Sequence, residues 1–253
     1  MFKAEVSIEN ERYFQAIWKL LPNLALEAEF TVSDNGILIR AIDPAQTAMV
    51  TIELPKIFFA SLSCDKPLTF ILDVLHVGKL IKPRGEKIQL YGDAETLTIE
   101  HTAKEYKRSF KSINLKGINV TYPSLNMERD AGFAIKSDFF QGVLEDAIPV
   151  ADTFYFSSDG KKLNIASEGE LSTMEQEIHQ GSILQGFKSK GKISRAEYFH
   201  EYIKNFVDAL YSTIDLTHVL VTENKPLVLI MAATAGDKKD IIFKITGMFG
   251  PKP

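Results

Sequence analysis

Five histidines, one cysteine and 33 acidic residues are the side chains from which a catalytic or metal site would be built. His76, His101, His179, His200 and His218 are scattered, with no two at metal-ligand spacing, and Cys64 alone cannot complete a zinc site. Gly78-Lys79 has no glycine-rich loop before it to cradle a phosphate. Cys64 stands beside Asp65 and could serve as a nucleophile, but a lone cysteine is more often a buried or half-buried filler. His200-Glu201 could be an acid–base pair, yet adjacent residues on a helix point in different directions. With no catalytic constellation, the chain reads as a binding or structural protein, not an enzyme, needing no cofactor and no metal.

The elements that would position any site come from a chain of 253 residues, one large domain or two at roughly 150 residues each. One cysteine rules out an internal disulfide and fits an intracellular protein. No apolar run reaches the roughly 20 residues of a membrane span, and MFKAEVSIEN lacks a basic region followed by an apolar stretch, so a soluble, unexported protein with no membrane contact is expected. The net charge of −4, from 29 basic and 33 acidic residues, excludes coating of nucleic acid by overall charge. Any contact with DNA must come from a local patch.

Four helices are predicted. In NERYFQAIWKLL, Tyr13, Phe14, Ile17, Leu20, Leu21 and Leu24 form one stripe, leaving Arg12, Gln15, Ala16 and Lys19 opposite. LDVLHVGKLIK sets Leu72, Leu75, Leu80 and Ile81 against His76, Lys79 and Lys82, and stops at Pro83 and Gly85. SDFFQGVLEDAIPV opens with Ser137-Asp138 as cap and first-turn acid and ends at Pro149. SRAEYFHEYIKNFVDAL has Ser194 as cap and Tyr198, Phe199, Tyr202, Ile203, Phe206 and Leu210 as its stripe. Between them, alternating strands are joined at SDNG (Ser33), YGDAE (Tyr91), SSDG (Ser157) and TENKP (Thr222). Phe14-Gln15 opens a helix leading to SDNG, and Phe140-Gln141 one leading to SSDG, so the halves echo each other. The expectation is an α+β protein of two similar domains, 1–114 and 128–253, joined by a connector at 115–127.

One stretch resists that scheme. In AIDPAQTAMVTIELP, residues Ala48 to Leu54 alternate like a half-buried strand, but the turn signal Asp43-Pro44 is flanked by Ile42, Ala45, Ala48 and Met49. An apolar turn at the surface needs a reason.

GILIRAIDPAQTAMVTIELP, LDVLHVGKLIK, YFHEYIKNFVDAL followed by TENKPLVLIMA, and the terminal GPKP resemble the ring-forming sliding clamps of replication, the proliferating cell nuclear antigen family, most of all an archaeal member. The resemblance runs through the whole chain in order. It implies a trimeric ring, homomeric or built with related chains, with helices lining a central hole around duplex DNA, antiparallel sheets outside, and no reaction of its own. A checkpoint-type clamp subunit would share the fold. The implied partners are double-stranded DNA held without sequence specificity, DNA polymerase, the clamp loader, flap endonuclease and DNA ligase, in the cytoplasm or nucleoid if the source is archaeal.

Carried onto this chain, the family's partner-peptide pocket is Ile42, Met49, Tyr122, Leu125, Pro226, Met248, Gly250 and Pro251, with Gln46 at its rim. It takes a peptide with a glutamine and paired aromatic residues, and Ile42 and Met49 are alternatively ordinary core residues. Glycine replaces the family's usual alanine in the tail, and no segment folding back over the peptide is expected beyond Pro251. Lys79 and Lys82 match lysines of the family's hole; Arg12, Lys19 and Arg84 are added from the helical pattern, any one of them alternatively a solvated residue. The second pair of helices instead carries Gly142, Glu145, Glu201 and Asp208, which suits phosphate poorly; Lys188, Lys190 and Lys192 either compensate or form a solvated loop. Subunits are expected to join through Ser109, Lys111, Ile113 and Leu115 of one edge strand and Thr173, Met174, Glu175 and Ile178 of another.

Overall fold

A computed structural model describes residues 1–81, 86–115, 122, 129–235 and 240–252. The first half runs β1 (Phe2–Val6), α1 (Glu11–Leu20), β2 (Glu27–Ser33), β3 (Gly36–Ile42), β4 (Ala48–Pro55), β5 (Phe59–Cys64), β6 (Leu68–Asp73), α2 (Val74–Leu80), β7 (Lys87–Gly92), β8 (Thr96–Thr102) and β9 (Lys107–Ile113). The same succession recurs as β10 (Ala131–Lys136), α3 (Ser137–Ala147), β11 (Thr153–Ser158), β12 (Leu163–Glu168), β13 (Thr173–Ile178), β14 (Leu184–Ser189), β15 (Ile193–Phe199), α4 (His200–Leu210), β16 (Leu216–Val221), β17 (Leu227–Ala235) and β18 (Asp240–Phe249). The expected duplication is therefore present in the element order. By contacts, Met1–Tyr122 with Ala232–Ile245 forms one compact unit, and Pro123–Met231 with Thr246–Pro253 the other.

In the first unit one antiparallel sheet has the order β5-β1-β7-β8-β9, and a second contains β18-β4-β3-β2-β6. α1 buries Tyr13, Phe14, Ile17 and Leu20 and exposes Arg12, Gln15 and Lys19, as its spacing requires. Ala16 and Trp18 are buried as well, so the polar face is narrower than expected and Ala16 belongs to the core. Trp18 stacks on Phe30 of β2 at 5.7 Å, which fastens the helix to the sheet. Gly36 closes the β2–β3 hairpin at φ 146°, where a Cβ would meet the Leu54 carbonyl oxygen at 2.2 Å.

In the second unit β13-β12-β11-β15 form one sheet, and β14-β10-β16-β17 are consecutive in another. Phe133, Phe154, Phe156, Phe140 and Tyr198 meet in an aromatic core. All four predicted turns join strands, and Asn224 supplies the left-handed residue of the last, at φ 57°.

Three helix expectations are corrected. The buried stripe of α2 is Val74 and Val77, continued by Ile81; Leu72 lies in β6, Leu75 is exposed and Leu80 half-buried. Asp73 caps α2 by accepting from the His76 amide at 2.8 Å. Ser137 is no cap: its buried hydroxyl meets that of Thr217 at 2.9 Å, and Lys136 stands at the N-cap. The fourth helix begins only at His200; Ser194 to Phe199 belong to β15, where Tyr198 is buried and Phe199 exposed in strand alternation.

Candidate functional site

The apolar turn is organised by one buried carboxylate. Asp43 accepts from the Ala48 amide at 2.6 Å, the Ala45 amide at 3.1 Å and the Thr47 hydroxyl at 3.1 Å. Its own amide donates to the Ala48 carbonyl at 2.9 Å, and its carbonyl accepts from Gln46 at 2.9 Å. A carboxylate with that many donors can lie buried, and Asp43 is 1 % exposed. The turn thus keeps Asp43 inside and pushes Pro44, Ala45, Gln46 and Thr47 out, with Gln46 in the left-handed region at φ 58°.

Beside this turn the first unit holds a cavity of about 340 Å³. Ile42, Pro44 and Gln46 wall it on one side, Glu27 and Glu29 of β2 with Ile71 of β6 on another, and Tyr122 closes it. Tyr122 is held by β3: its ring lies 4.4 Å from the Arg40 guanidinium carbon and its hydroxyl donates to the Arg40 carbonyl at 3.3 Å. Arg40 is in turn ion-paired with Glu29. Burial, and secondarily the Glu29 charge, push the Tyr122 hydroxyl above the usual phenol range, so it stays a neutral donor.

Of the pocket residues expected from sequence, Ile42, Gln46 and Tyr122 line this cavity. Met49, the cross-strand partner of Ile42, is 3 % exposed and absent from the wall. Leu125 lies outside the described residues. In the second unit Pro226, Gly250 and Pro251 are half-buried, Met248 is buried, and Pro251 bridges to Tyr198. The sequence reading missed Leu26, Glu27, Glu29 and Ile71. Leu26 carried a signal, an apolar residue between a helix and an alternating strand, and it is 66 % exposed.

The expected assembly strands both end their sheets. The Asn114 amide bonds the Glu95 carbonyl and the Ala103 amide that of Tyr106, each at 2.9 Å. In the register Thr96↔Ile113 to Thr102↔Lys107, Lys107, Ser109, Lys111 and Ile113 therefore turn their backbone groups away from β8. On β13, the Gly169 amide bonding Ser172 at 2.9 Å and the register Leu163↔Ile178 leave Thr173, Glu175 and Glu177 facing outward. Ser109, Lys111, Ile113, Thr173 and Glu175 are exposed, Met174 half-buried, and Ile178 buried. Leu115 is 40 % exposed and donates its amide to Ile71 at 2.9 Å.

On the helices Arg12, Lys19 and Lys79 are exposed, while Lys82 and Arg84 lie outside the described residues. Arg12 is folded back on Tyr13, donating to its hydroxyl at 2.7 Å. α3 and α4 expose Asp138, Glu145, Asp146 and Glu201, and Lys204 is paired with Asp208. Of Lys188, Lys190 and Lys192, expected either to compensate for the acidic helices or to form a solvated loop, Lys188 lies in β14. Among the described residues no three His, Cys, Asp or Glu side chains gather as metal ligands. No helix of theirs is long and apolar enough to cross a membrane.

Comparison with known proteins adds the class. The chain is 26% identical over 246 residues to DNA polymerase sliding clamp 1 of Sulfurisphaera ohwakuensis, covering 96% of this chain and 97% of that protein. It is 28% identical over 225 residues to the DNA polymerase sliding clamp of Thermoplasma acidophilum, covering 85% of each. The crystal structure of PCNA from Thermococcus kodakaraensis matches with a TM-score of 0.82 at 22% identity over the whole of both chains. A structure of the C-terminal region of FEN-1 bound to A. fulgidus PCNA contains a chain that matches at 0.82 and 20%, covering 100% and 99%. Fold and relatives together define a chain of the sliding-clamp class, of archaeal type. Residues 1–122 match the model of the proliferating cell nuclear antigen N-terminal domain.

Proposed function

We propose that this chain closes, with two further subunits, into a ring around duplex DNA and tethers polymerase, clamp loader, flap endonuclease and ligase there, catalysing no reaction itself. Its place of action is inside the cell, in the cytoplasm or nucleoid. The observation that carries the reading is an incomplete pairing. In the first unit β18 lies beside β4. By order in the repeat, β9 is the counterpart of β18 and β13 the counterpart of β4, and these two are left as open edges. A second copy supplies the missing partner for each, which also removes the hazard of exposed strand edges.

The test is the mass in solution, expected near three times 28.4 kDa. Ile113→Pro should reduce it to the monomer: the Ile113 amide faces away from β8, so proline removes a donor from the open edge without breaking the β8–β9 ladder. A trimer that survives this change would overturn the assignment of the edge.

The pocket reading follows from the cavity at Ile42, Gln46 and Tyr122. A cleft of this size beside a sheet, with Ile42, Pro44, Ile71 and Tyr122 as its apolar surface, suits a short peptide with aromatic anchors and a glutamine at the rim. The resemblance assigns Met49, Leu125, Pro226, Met248, Gly250 and Pro251 to the same peptide. Ile42→Asp and Leu125→Asp should each abolish its binding in calorimetry, since an unpaired carboxylate buried under the peptide costs several kcal/mol. Met49 is a poorer choice for the test, because a carboxylate at that buried site would destabilise β4 itself.

A further inference from the structure

Ionic partners separate the charged residues along β9 and β13, two of the strands that end a sheet. On β9, Lys107 bonds Glu100 at 2.7 Å and Arg108 is paired with Glu86. Burial would raise the Glu86 carboxyl, but Tyr106 and Arg108 hold it below its usual range, so this pair stays ionised inside the sheet. Lys111 has no ion-pair partner among the described residues. On β13, Glu177 is paired with Lys162 and lies 2.9 Å from His179, whereas Glu175 accepts only a long bond from Asn164, at 3.3 Å. Lys111 on β9 acts on Asp93, and Glu175 on β13 on Lys162, through charge alone without an ion pair among the described residues, so they are the least engaged charges of the two strands, and both belong to residues whose backbone groups face outward.

We propose that Lys111 of one copy pairs with Glu175 of the next, and that this pair makes the chain recognise a second copy of itself head to tail. The inference rests on the ring reading above. When two antiparallel edges join, residues with outward backbone groups become directly opposed, so Lys111 can stand opposite Glu175. That register also sets Ile113, 70 % exposed in one chain, against Thr173. Opposite charges facing each other across a ladder stabilise it, and like charges destabilise it. The wrong unions are disfavoured on the same ground: β9 against β9 brings together the Lys111 charges of both copies, and β13 against β13 brings together their Glu175 charges. Two-fold dimers through one edge are thereby suppressed, and the remaining head-to-tail contact is the kind that closes into a ring.

The test is a charge exchange followed by light scattering over a dilution series, at low salt and at about 1 M salt, where screening reaches only about 3 Å. Lys111→Glu and Glu175→Lys should each raise the concentration for half-assembly by about tenfold or more at low salt. The double variant should return close to wild type. Both side chains are exposed, and equal thermal melts of the singles and the double at a concentration where all are monomeric exclude misfolding as the cause. Singles that assemble like wild type, or a double variant no better than the singles, would overturn the Lys111–Glu175 pair while leaving the ring intact. A wild-type chain that stays monomeric at every concentration, or assembles only with a related chain, would overturn the self-recognition and the homomeric ring together.

Discussion

The guanidinium carbon of Arg40 lies 4.4 Å from the centre of the Tyr122 ring, and the Tyr122 hydroxyl donates to the carbonyl of the same arginine at 3.3 Å. One residue of β3 thus holds the aromatic wall of the cavity by face and by tip, while Glu29 holds the arginine. Arg40→Met keeps the length and apolar stem but removes the cation, which contributes about 1 kcal/mol when partly desolvated over a ring. The expected outcome is a roughly fivefold loss of affinity for a glutamine-and-aromatic peptide, read by calorimetry. Unchanged affinity would show that Tyr122 needs no such support.

Asp43 is the hub of the turn that presents Pro44 and Gln46. Asp43→Ala leaves the Ala45 and Ala48 amides and the Thr47 hydroxyl without their acceptor. Each donor stripped of a partner in a buried place costs about 1–3 kcal/mol, less where water can enter. We expect a loss of roughly 2–4 kcal/mol of stability in urea titration. Asp43→Asn, which keeps an acceptor oxygen, should lose less. Equal losses for both would argue that the charge, not the hydrogen bonding, holds the turn.

Glu197 of β15 gives the second unit a pH dependence. Burial would raise its carboxyl, but hydrogen bonds from Arg195 at 2.8 Å, Thr153 at 2.7 Å and Lys252 at 2.9 Å outweigh it and hold the value down at about 2. In the unfolded chain a glutamate titrates near 4.3. A group depressed on folding contributes stability fully above its unfolded value and loses it as pH falls toward its folded one. Wild type should therefore exceed Glu197→Gln in stability at pH 6, and the gap should shrink between about pH 4.3 and 2. The Lys252 amide, which bonds the Glu197 carbonyl at 3.0 Å, should lose protection, judged against its intrinsic exchange rate at each pH, in the same window. A gap that does not depend on pH would contradict the network.

How much of this was legible in the sequence depended on how local the signal was. The four turns carried their own glycine, asparagine and aspartate chemistry, so they were readable, whereas the two edge strands were placed only by their order in the resemblance. SRAEYF was misread because Tyr198 and Phe199 are both apolar, which suits a helix stripe; in the strand one is core and the other exposed. α2 has only seven residues, about two turns, too few for periodicity to tell Leu75 from Val74 and Val77. The cavity wall was illegible for another reason. Glu29 and Ile71 are 42 positions apart and meet only because β2 pairs with β6 in the register Glu29↔Ile71, which no local pattern announces. The buried Asp43 was likewise hidden: sequence marks Asp-Pro as a solvent turn, and donors such as the Ala45 and Ala48 amides and the Thr47 hydroxyl allow it inside.

The last prediction concerns the charge the ring would turn toward DNA. α1 and α2 expose Arg12, Lys19 and Lys79, but α3 and α4 expose Asp138, Glu145, Asp146 and Glu201, with Lys204 occupied by Asp208. If these faces meet the duplex, the phosphates are held by the first pair of helices and repelled by the second, which keeps the overall grip weak enough for sliding. Each lysine that neutralises a phosphate changes the logarithmic salt slope of duplex binding by about 0.9. Lys79→Glu should therefore lower retention on closed circular DNA and flatten its salt dependence. Glu145→Lys with Glu201→Lys should do the reverse, raising retention and steepening the slope, while slowing diffusion along the duplex. Both variants should keep the wild-type assembly mass, which separates a change in grip from a change in ring. Equal retention of wild type and both variants at low salt would show that these helix faces do not meet the phosphates.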